Sequence, residues 1–223
     1  MLSAQQLRQV LPTVPRGAIR GPWYRAVAFD YLLRPPPGAA PGSGVNPLWP
    51  GGAVLRGARF TPRQMRPRIP GTAPVGFESL YLAEDELTPI LEIAGVLRPP
   101  NSPIPLFFDP QVLMTVDGVL TDIIDVTDGQ VQNALGTNLQ ELTGSWVVAQ
   151  ASYLAGQGAM PPTQVLGQSA FDVGGIVGLR YPSSKSTSAA AAVVVFADRL
   201  RSGGQSYLQV FNRPGGSLTG RLP

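Results

Sequence analysis

Ser79-Leu80-Tyr81-Leu82-Ala83-Glu84-Asp85-Glu86-Leu87-Thr88-Pro89-Ile90-Leu91-Glu92-Ile93 changes character half-way along. Phe77 to Ala83, rich in aromatic and branched residues, reads as a short buried strand. From Asp85 the pattern is helical. Asp85 is of the type that caps a helix N-terminus, and Pro89, with no amide hydrogen, is tolerated only in a first turn, so the helix begins between Asp85 and Thr88. Tyr81 is then near the end of a strand and Glu92 on the helix that follows it. Near a helix N-terminus the free N–H groups and the dipole favour an ionised carboxylate. Glu92 is therefore either a poised anion or a partly exposed helix residue with no special part.

On the N-terminal side, residues 3–11 carry Leu7, Val10 and Leu11 at the spacing of a short amphipathic helix. Pro22-Trp23-Tyr24-Arg25-Ala26-Val27-Ala28-Phe29 reads as a strand with a single charge, Arg25. A cation inside an apolar strand is costly unless it meets an anion. It is either half of an internal ion pair or a clamp whose planar guanidinium binds two phosphate oxygens. Residues 34–52 and 61–76 are loops rich in Pro and Gly. The second carries Arg63, Arg66 and Arg68, a solvated face or an electropositive rim that draws in phosphates. Between the loops, Ala53 to Phe60 reads as a strand bearing Arg56 and Arg59.

On the C-terminal side, Leu106-Phe107-Phe108 leads into two strands, Gln111 to Val116 and Leu120 to Val126, around an Asp117-Gly118 hairpin turn. Thr127 or Asp128 caps a helix through Val131 and Leu135, and Thr137 to Leu154 is helical in part, with a break at Gly144. Pro162 to Val173 is a helix with Pro at its start and Gly174 just past its end. Ile176 to Tyr181, Ala190 to Ala197 and Tyr207 to Phe211 complete the strands. The expected fold is α+β, a single domain over residues 1–223 with a mixed, mostly antiparallel sheet flanked by helices.

Composition removes several kinds of chemistry. The 223 residues include neither Cys nor His, which excludes disulfides, thiolate nucleophiles, a Ser-His-Asp triad and imidazole or thiolate metal sites. No metal is expected, and catalysis must rest on carboxylates, hydroxyls and arginines. Seventeen Lys and Arg against fourteen Asp and Glu leave a formal charge of +3, too small to argue for direct nucleic-acid binding and compatible with an anionic small ligand. No apolar run approaches the roughly 18 residues of a spanning helix, and the first eight residues are too polar for a secretory signal, so a cytoplasmic protein is expected. Asp122, Asp125 and Asp128 lack the alternating oxygen spacing of a calcium loop. Gly174-Gly175-Ile176-Val177-Gly178 lacks the dinucleotide fingerprint, and Gly167-Gln168-Ser169-Ala170-Phe171 lacks the second glycine of a nucleophile elbow.

Four short motifs occur in order: Trp23-Tyr24-Arg25; Gly57-Ala58-Arg59-Phe60; Leu80-Tyr81-Leu82-Ala83 with Thr88-Pro89-Ile90-Leu91-Glu92; and Gly178-Leu179-Arg180-Tyr181-Pro182-Ser183-Ser184. Together, and with Val194-Val195-Phe196 after the serines, they resemble the RES-domain family over about residues 22–211. Thr61, where that family often has Asn, and Pro89 are departures from its pattern. The resemblance implies an ADP-ribosyltransferase-like fold and the toxin of a bacterial toxin–antitoxin pair. Its substrate would be NAD+, consumed by phosphorolysis or hydrolysis with inorganic phosphate as a co-substrate in the first case and no resident cofactor. Its partner would be an Xre-type helix-turn-helix antitoxin. Carried over by position, it implies a site of Arg25, Arg59, Tyr81, Glu92 and Ser183. Glu92 would stabilise the developing positive charge, Arg25 and Arg59 would hold the diphosphate, Tyr81 would stack on a base, and Ser183 would orient an oxygen. Strand alternation would turn Ser184 away from Ser183. The other functions open to such a sequence are mono-ADP-ribosyl transfer to a protein and a non-catalytic partner-binding module.

Overall fold

The computed structural model describes residues 1–29, 32, 46–64, 76–93, 110–186, 190–201, 205–211 and 217–222. Residues 34–45, most of the 61–76 loop with Arg66 and Arg68, and Leu106-Phe107-Phe108 lie outside them. Eight strands are present: β1 (Gly17–Arg20), β2 (Trp23–Ala28), β3 (Ser79–Ala83), β4 (Gln111–Asp125), β5 (Gly178–Pro182), β6 (Ala191–Phe196), β7 (Tyr207–Phe211) and β8 (Leu218–Leu222). The helices are α1 (Ala4–Val10), α2 (Gly51–Arg56), α3 (Leu87–Ile93), α4 (Gly129–Ala134), α5 (Leu139–Thr143), α6 (Val147–Leu154), α7 (Pro162–Val173) and α8 (Ala197–Arg201).

The strands run β2-β3-β6-β5-β4-β7-β8, with all pairings antiparallel except β4 with β5. β2 also pairs along the first half of β4, from Trp23 opposite Val116 to Ala28 opposite Gln111. The β2-β3-β6-β5-β4 path therefore closes on itself. β1 lies along the second half of β4. This is the expected α+β arrangement with a mixed, mostly antiparallel sheet.

β6 is buried at all six positions. Its side chains divide by alternation, Ala192, Val194 and Phe196 into one core and Val193 and Val195 into the other. β3 does the same, with Leu80 and Leu82 opposite Tyr81. The first core lies beneath α1, α5 and α7 and contains the stacked rings of Phe77 and Phe171 (centroids 4.6 Å apart), with Phe196 edge-on to Phe77 at 4.9 Å.

Two expected strand assignments fail. The Asp117-Gly118 hairpin does not form, and β4 is one strand of 15 residues. Asp117, Gly118 and Val119 pair instead with Gln209, Leu208 and Tyr207. A Cβ on Gly118 would run into the Tyr207 carbonyl, so this glycine serves close strand approach and not a turn. Asp122 takes φ 55°, which Asp tolerates better than most residues, and the pairing with β1 shifts register beside it. The second failure is Ala53 to Phe60, where the chain forms α2 and then a turn. Gly57, at φ 81°, ends that helix, and one-sided burial (Val54 buried, Leu55 53% exposed) follows a helical period. β1 and β8, short and mostly exposed, gave no sequence signal.

The stretch around Glu92 folds as expected. β3 ends at Ala83, and the Asp85 carboxylate accepts from the amides of Leu87 and Thr88 (2.9 and 2.7 Å) and from the Thr88 hydroxyl (2.6 Å). Pro89 sits in the first turn of α3. Glu92, however, is the sixth of seven residues, beyond the first turn, so the helix-dipole argument for its ionisation does not apply.

α7 is fixed by a backbone contact. A Cβ on Gly167 would collide with the Phe60 carbonyl, which cannot swing aside as a side chain would. Gly167→Ala is therefore expected to lower the unfolding free energy by about 1–3 kcal/mol through overpacking, more than the roughly 1 kcal/mol gained in helix propensity. A urea-denaturation midpoint equal to or above that of the wild type would show that the contact is loose.

Candidate active site

Arg25 is on β2, Tyr81 on β3 and Glu92 on α3, while Arg59 follows α2 and Ser183 follows β5. A cavity of about 420 Å³ is lined by Arg25, Arg59, Tyr81 and Glu92 together with Tyr181 and Trp146. That volume is in the range of small-molecule sites. Ser183 reaches the same place through Glu92, with its Oγ donating to Glu92 Oε1 at 3.0 Å and accepting from the Lys185 amide at 3.1 Å. All five sequence-predicted residues thus converge.

Arg25 donates from Nη2 to the Trp49 carbonyl at 3.2 Å. Its Nε is sealed from solvent with no hydrogen-bond partner, although the residue as a whole is only half-buried. No carboxylate pairs with it among the described residues, which removes the internal ion-pair reading. Desolvation pulls the guanidinium down to about 10. A guanidinium in this state is chemically suited to pair with an anion.

Arg59 is nearly buried (7% exposed) and more committed. Its Nη1 donates to the carbonyls of Leu142 and Gly144 (2.9 and 2.8 Å), and its Nη2 to Ser184 Oγ (3.3 Å). The expected separation of the two serines is therefore corrected: Ser183 reaches Glu92 and Ser184 reaches Arg59. β5 ends at Pro182, so strand alternation no longer governs either residue. The turn carrying Arg59 is held from behind by Gln164, buried on α7, whose Nε2 donates to the Ala58 carbonyl (2.8 Å) and to Gln150 Oε1 (2.6 Å).

The Tyr81 hydroxyl accepts from the Phe60 amide (3.0 Å) and shares a hydrogen bond with Thr61 Oγ1 (2.9 Å), which contacts Ser79 Oγ at 2.6 Å. Thr61 therefore has a defined part despite departing from the expected motif. Burial is the main cause that pushes the Tyr81 phenol up to about 12. Tyr181 is pushed well above its ordinary value, first by burial and then by the charge of Glu92.

The rim beside the serines is braced by Arg180. Its Nε and Nη2 bind the two Glu84 oxygens (2.6 and 3.0 Å), and its Nη1 binds Asp125 and Thr127 (both 2.9 Å). Glu84 Oε2 also accepts from the Ala191 amide at 3.2 Å, so one cluster joins the ends of β3, β4, β5 and β6. Sequence reasoning did not assign Trp49, Arg56, Trp146 or Tyr181, all of which line the cavity. Only Tyr181 had a signal, its place inside the motif that ends in Ser183.

The architecture is shared with a known protein class. It superposes on the MbcT toxin in the crystal structure of the M. tuberculosis MbcT–MbcA toxin–antitoxin complex with a TM-score of 0.61, covering 92% of this chain and 89% of that one. Identity is 18%, so the likeness is one of fold. No curated protein matches by sequence. The RES domain family model matches residues 22–213, and the chain belongs to that family. Among the described residues, no helix is long and apolar enough to cross a membrane.

Two outcomes are expected from the site's electrostatics. Inorganic pyrophosphate should raise the melting temperature, since a ligand at 100 times its dissociation constant adds about 2.7 kcal/mol. Arg25→Met should melt no lower than the wild type and should lose that shift; an unchanged shift would take the anion away from Arg25. In alkali, the unfolded Tyr81 phenol ionises near 10 but the folded one near 12, so its stability contribution is complete below pH 10 and lost as pH rises through 12. The melting temperature should fall less steeply over that interval in Tyr81→Phe.

Proposed function

We propose that this protein cleaves the bond between nicotinamide and ribose in NAD+ and serves as the toxin of a toxin–antitoxin pair. One observation carries the chemistry: a half-buried guanidinium, Arg25, with a sealed and unsatisfied Nε and no carboxylate partner among the described residues, lines the same cavity as a carboxylate, Glu92, held by Ser183. An anion and a developing cation in one ligand would satisfy both.

As the glycosidic bond breaks, its electron pair goes to the positively charged nicotinamide, which leaves neutral. No general acid is required, which suits a chain without histidine. Positive charge develops on the ribose, where Glu92 stabilises it and accepts from a sugar hydroxyl. Ser183, donating to Glu92, fixes the carboxylate's orientation. Arg25 takes the diphosphate, with Arg59 adding positive field and its remaining donors. Tyr81 offers its ring to a base. The new bond to the anomeric carbon comes from a phosphate oxygen, giving an ADP-ribosyl phosphate, or from water, which loses a proton to solvent and gives ADP-ribose.

The toxin role is supported by membership of the RES family and by the fold shared with a protein crystallised in a toxin–antitoxin complex. The proposed partner is an Xre-type helix-turn-helix antitoxin, and the proposed location is the cytoplasm.

Purified protein, freed of any antitoxin, is expected to release nicotinamide from NAD+, and parallel incubations with and without phosphate identify the acceptor. Glu92→Gln should fold normally and lose about 10²- to 10³-fold in turnover, the loss typical of one preorganised electrostatic partner. NAD+ left intact under both conditions would sink the proposal. Label from NAD+ appearing on a macromolecule would replace it with ADP-ribosyl transfer.

A further inference from the structure

The Tyr181 hydroxyl has no part in the hydrogen bonds described above. The residue lies on β5 opposite Ala192 of β6, and its ring packs against Phe60 with centroids 4.6 Å apart. Only 2% of the residue is exposed, yet it lines the cavity. Its hydroxyl has no hydrogen-bond partner among the described residues. The contrast with Tyr81 is direct, because that hydroxyl is bonded to Phe60 and Thr61.

A phenylalanine would keep the Phe60 contact, so packing alone does not account for the hydroxyl of this cavity-lining residue. Water entering the cavity can satisfy the hydroxyl. A ligand that displaces the water must supply an acceptor in its place. Two residues further on, Ser183 bonds Glu92 at 3.0 Å, and Tyr181 and Glu92 line the same cavity, which puts Tyr181 on the chain segment that meets the carboxylate. Burial and the neighbouring carboxylate both hold its proton on, so it acts there as a donor.

We infer that Tyr181 is a further substrate-contacting residue whose hydroxyl donates a hydrogen bond to an oxygen of the ribose that bears nicotinamide, beside Glu92. The inference rests on the NAD+ reading above and adds to it the group that recognises this sugar. Sites built to bond a substrate oxygen discriminate strongly against ligands that lack it.

Tyr181→Phe removes the one oxygen and nothing else. Binding of ADP-ribose, which retains that ribose, and of ADP, which lacks it, is measured calorimetrically for the wild type and the variant. ADP-ribose should bind about 3- to 10-fold more weakly to the variant, the equivalent of one neutral hydrogen bond. ADP should bind equally to both proteins, and the variant should melt no lower than the wild type. Unchanged ADP-ribose affinity in a variant of a wild type that turns over NAD+ would overturn the inference alone. Equal weakening of both ligands would also overturn it, since the contact would lie at the diphosphate or adenine end. A wild type that leaves NAD+ intact and binds neither ligand would overturn the NAD+ reading and this inference with it.

Discussion

The architecture depends on the continuity of β4. Its first half pairs with β2, its second half with β1 and β5, and its middle with β7. Because one strand belongs to several pairings, the position of Arg25 on β2 is linked to that of the serines after β5 through hydrogen-bonded backbone alone. Had Asp117-Gly118 turned the chain, the two would sit on separate hairpins with nothing to fix their spacing. Gly118 permits the continuity by letting β7 approach where any side chain would block it.

On that frame the site is assembled from groups whose hydrogen bonds leave specific valences open. Arg59 spends one nitrogen on two backbone carbonyls and is thereby immobilised. Ser183 is bonded on both sides, from a backbone amide and to Glu92. Arg25 is held by one carbonyl and keeps a sealed nitrogen unsatisfied. Positions fixed before a ligand arrives need no reorganisation when charge develops, and such preorganisation is a large part of what enzymes contribute. The unsatisfied nitrogen is the cost, one that the proposed anionic substrate would offset.

What was legible in the sequence follows from where the signal is local. Asp85 and Pro89 fixed the start of α3 because capping and the missing amide are properties of those residues themselves. The limits of α7 and β7 were legible for similar reasons, a proline at the helix start and a bounded β-rich run. Residues 53–60 misled because Val, Leu and Arg in a short run satisfy either period, and only the left-handed Gly57 and one-sided burial settle it. Asp117-Gly118 misled because a glycine that admits a neighbouring strand looks the same as one that makes a turn. The convergence of the five site residues came from the order of the family's motifs and not from local pattern. Ser184 was misplaced because the end of β5 at Pro182 depends on tertiary pairing that no local rule reports.

The charges around the cavity are unequal in a way that bears on its ligand. Among the described lining residues, three guanidiniums, those of Arg25, Arg56 and Arg59, accompany a single carboxylate, Glu92. A simple cation would meet net repulsion there, and a simple polyanion would meet an unfavourable Glu92. The proposed dinucleotide has the matching asymmetry, two phosphate charges and one positive ring. In the proposed reaction the positive charge would move from the ring to the sugar as nicotinamide leaves neutral, so what Glu92 attracts would shift toward the ribose as the bond breaks. Attraction that grows along the reaction lowers the barrier, whereas attraction already complete in the bound substrate does not. In the proposed reaction the solitary acid would carry the rate and the arginines the affinity, although all of them face one cavity.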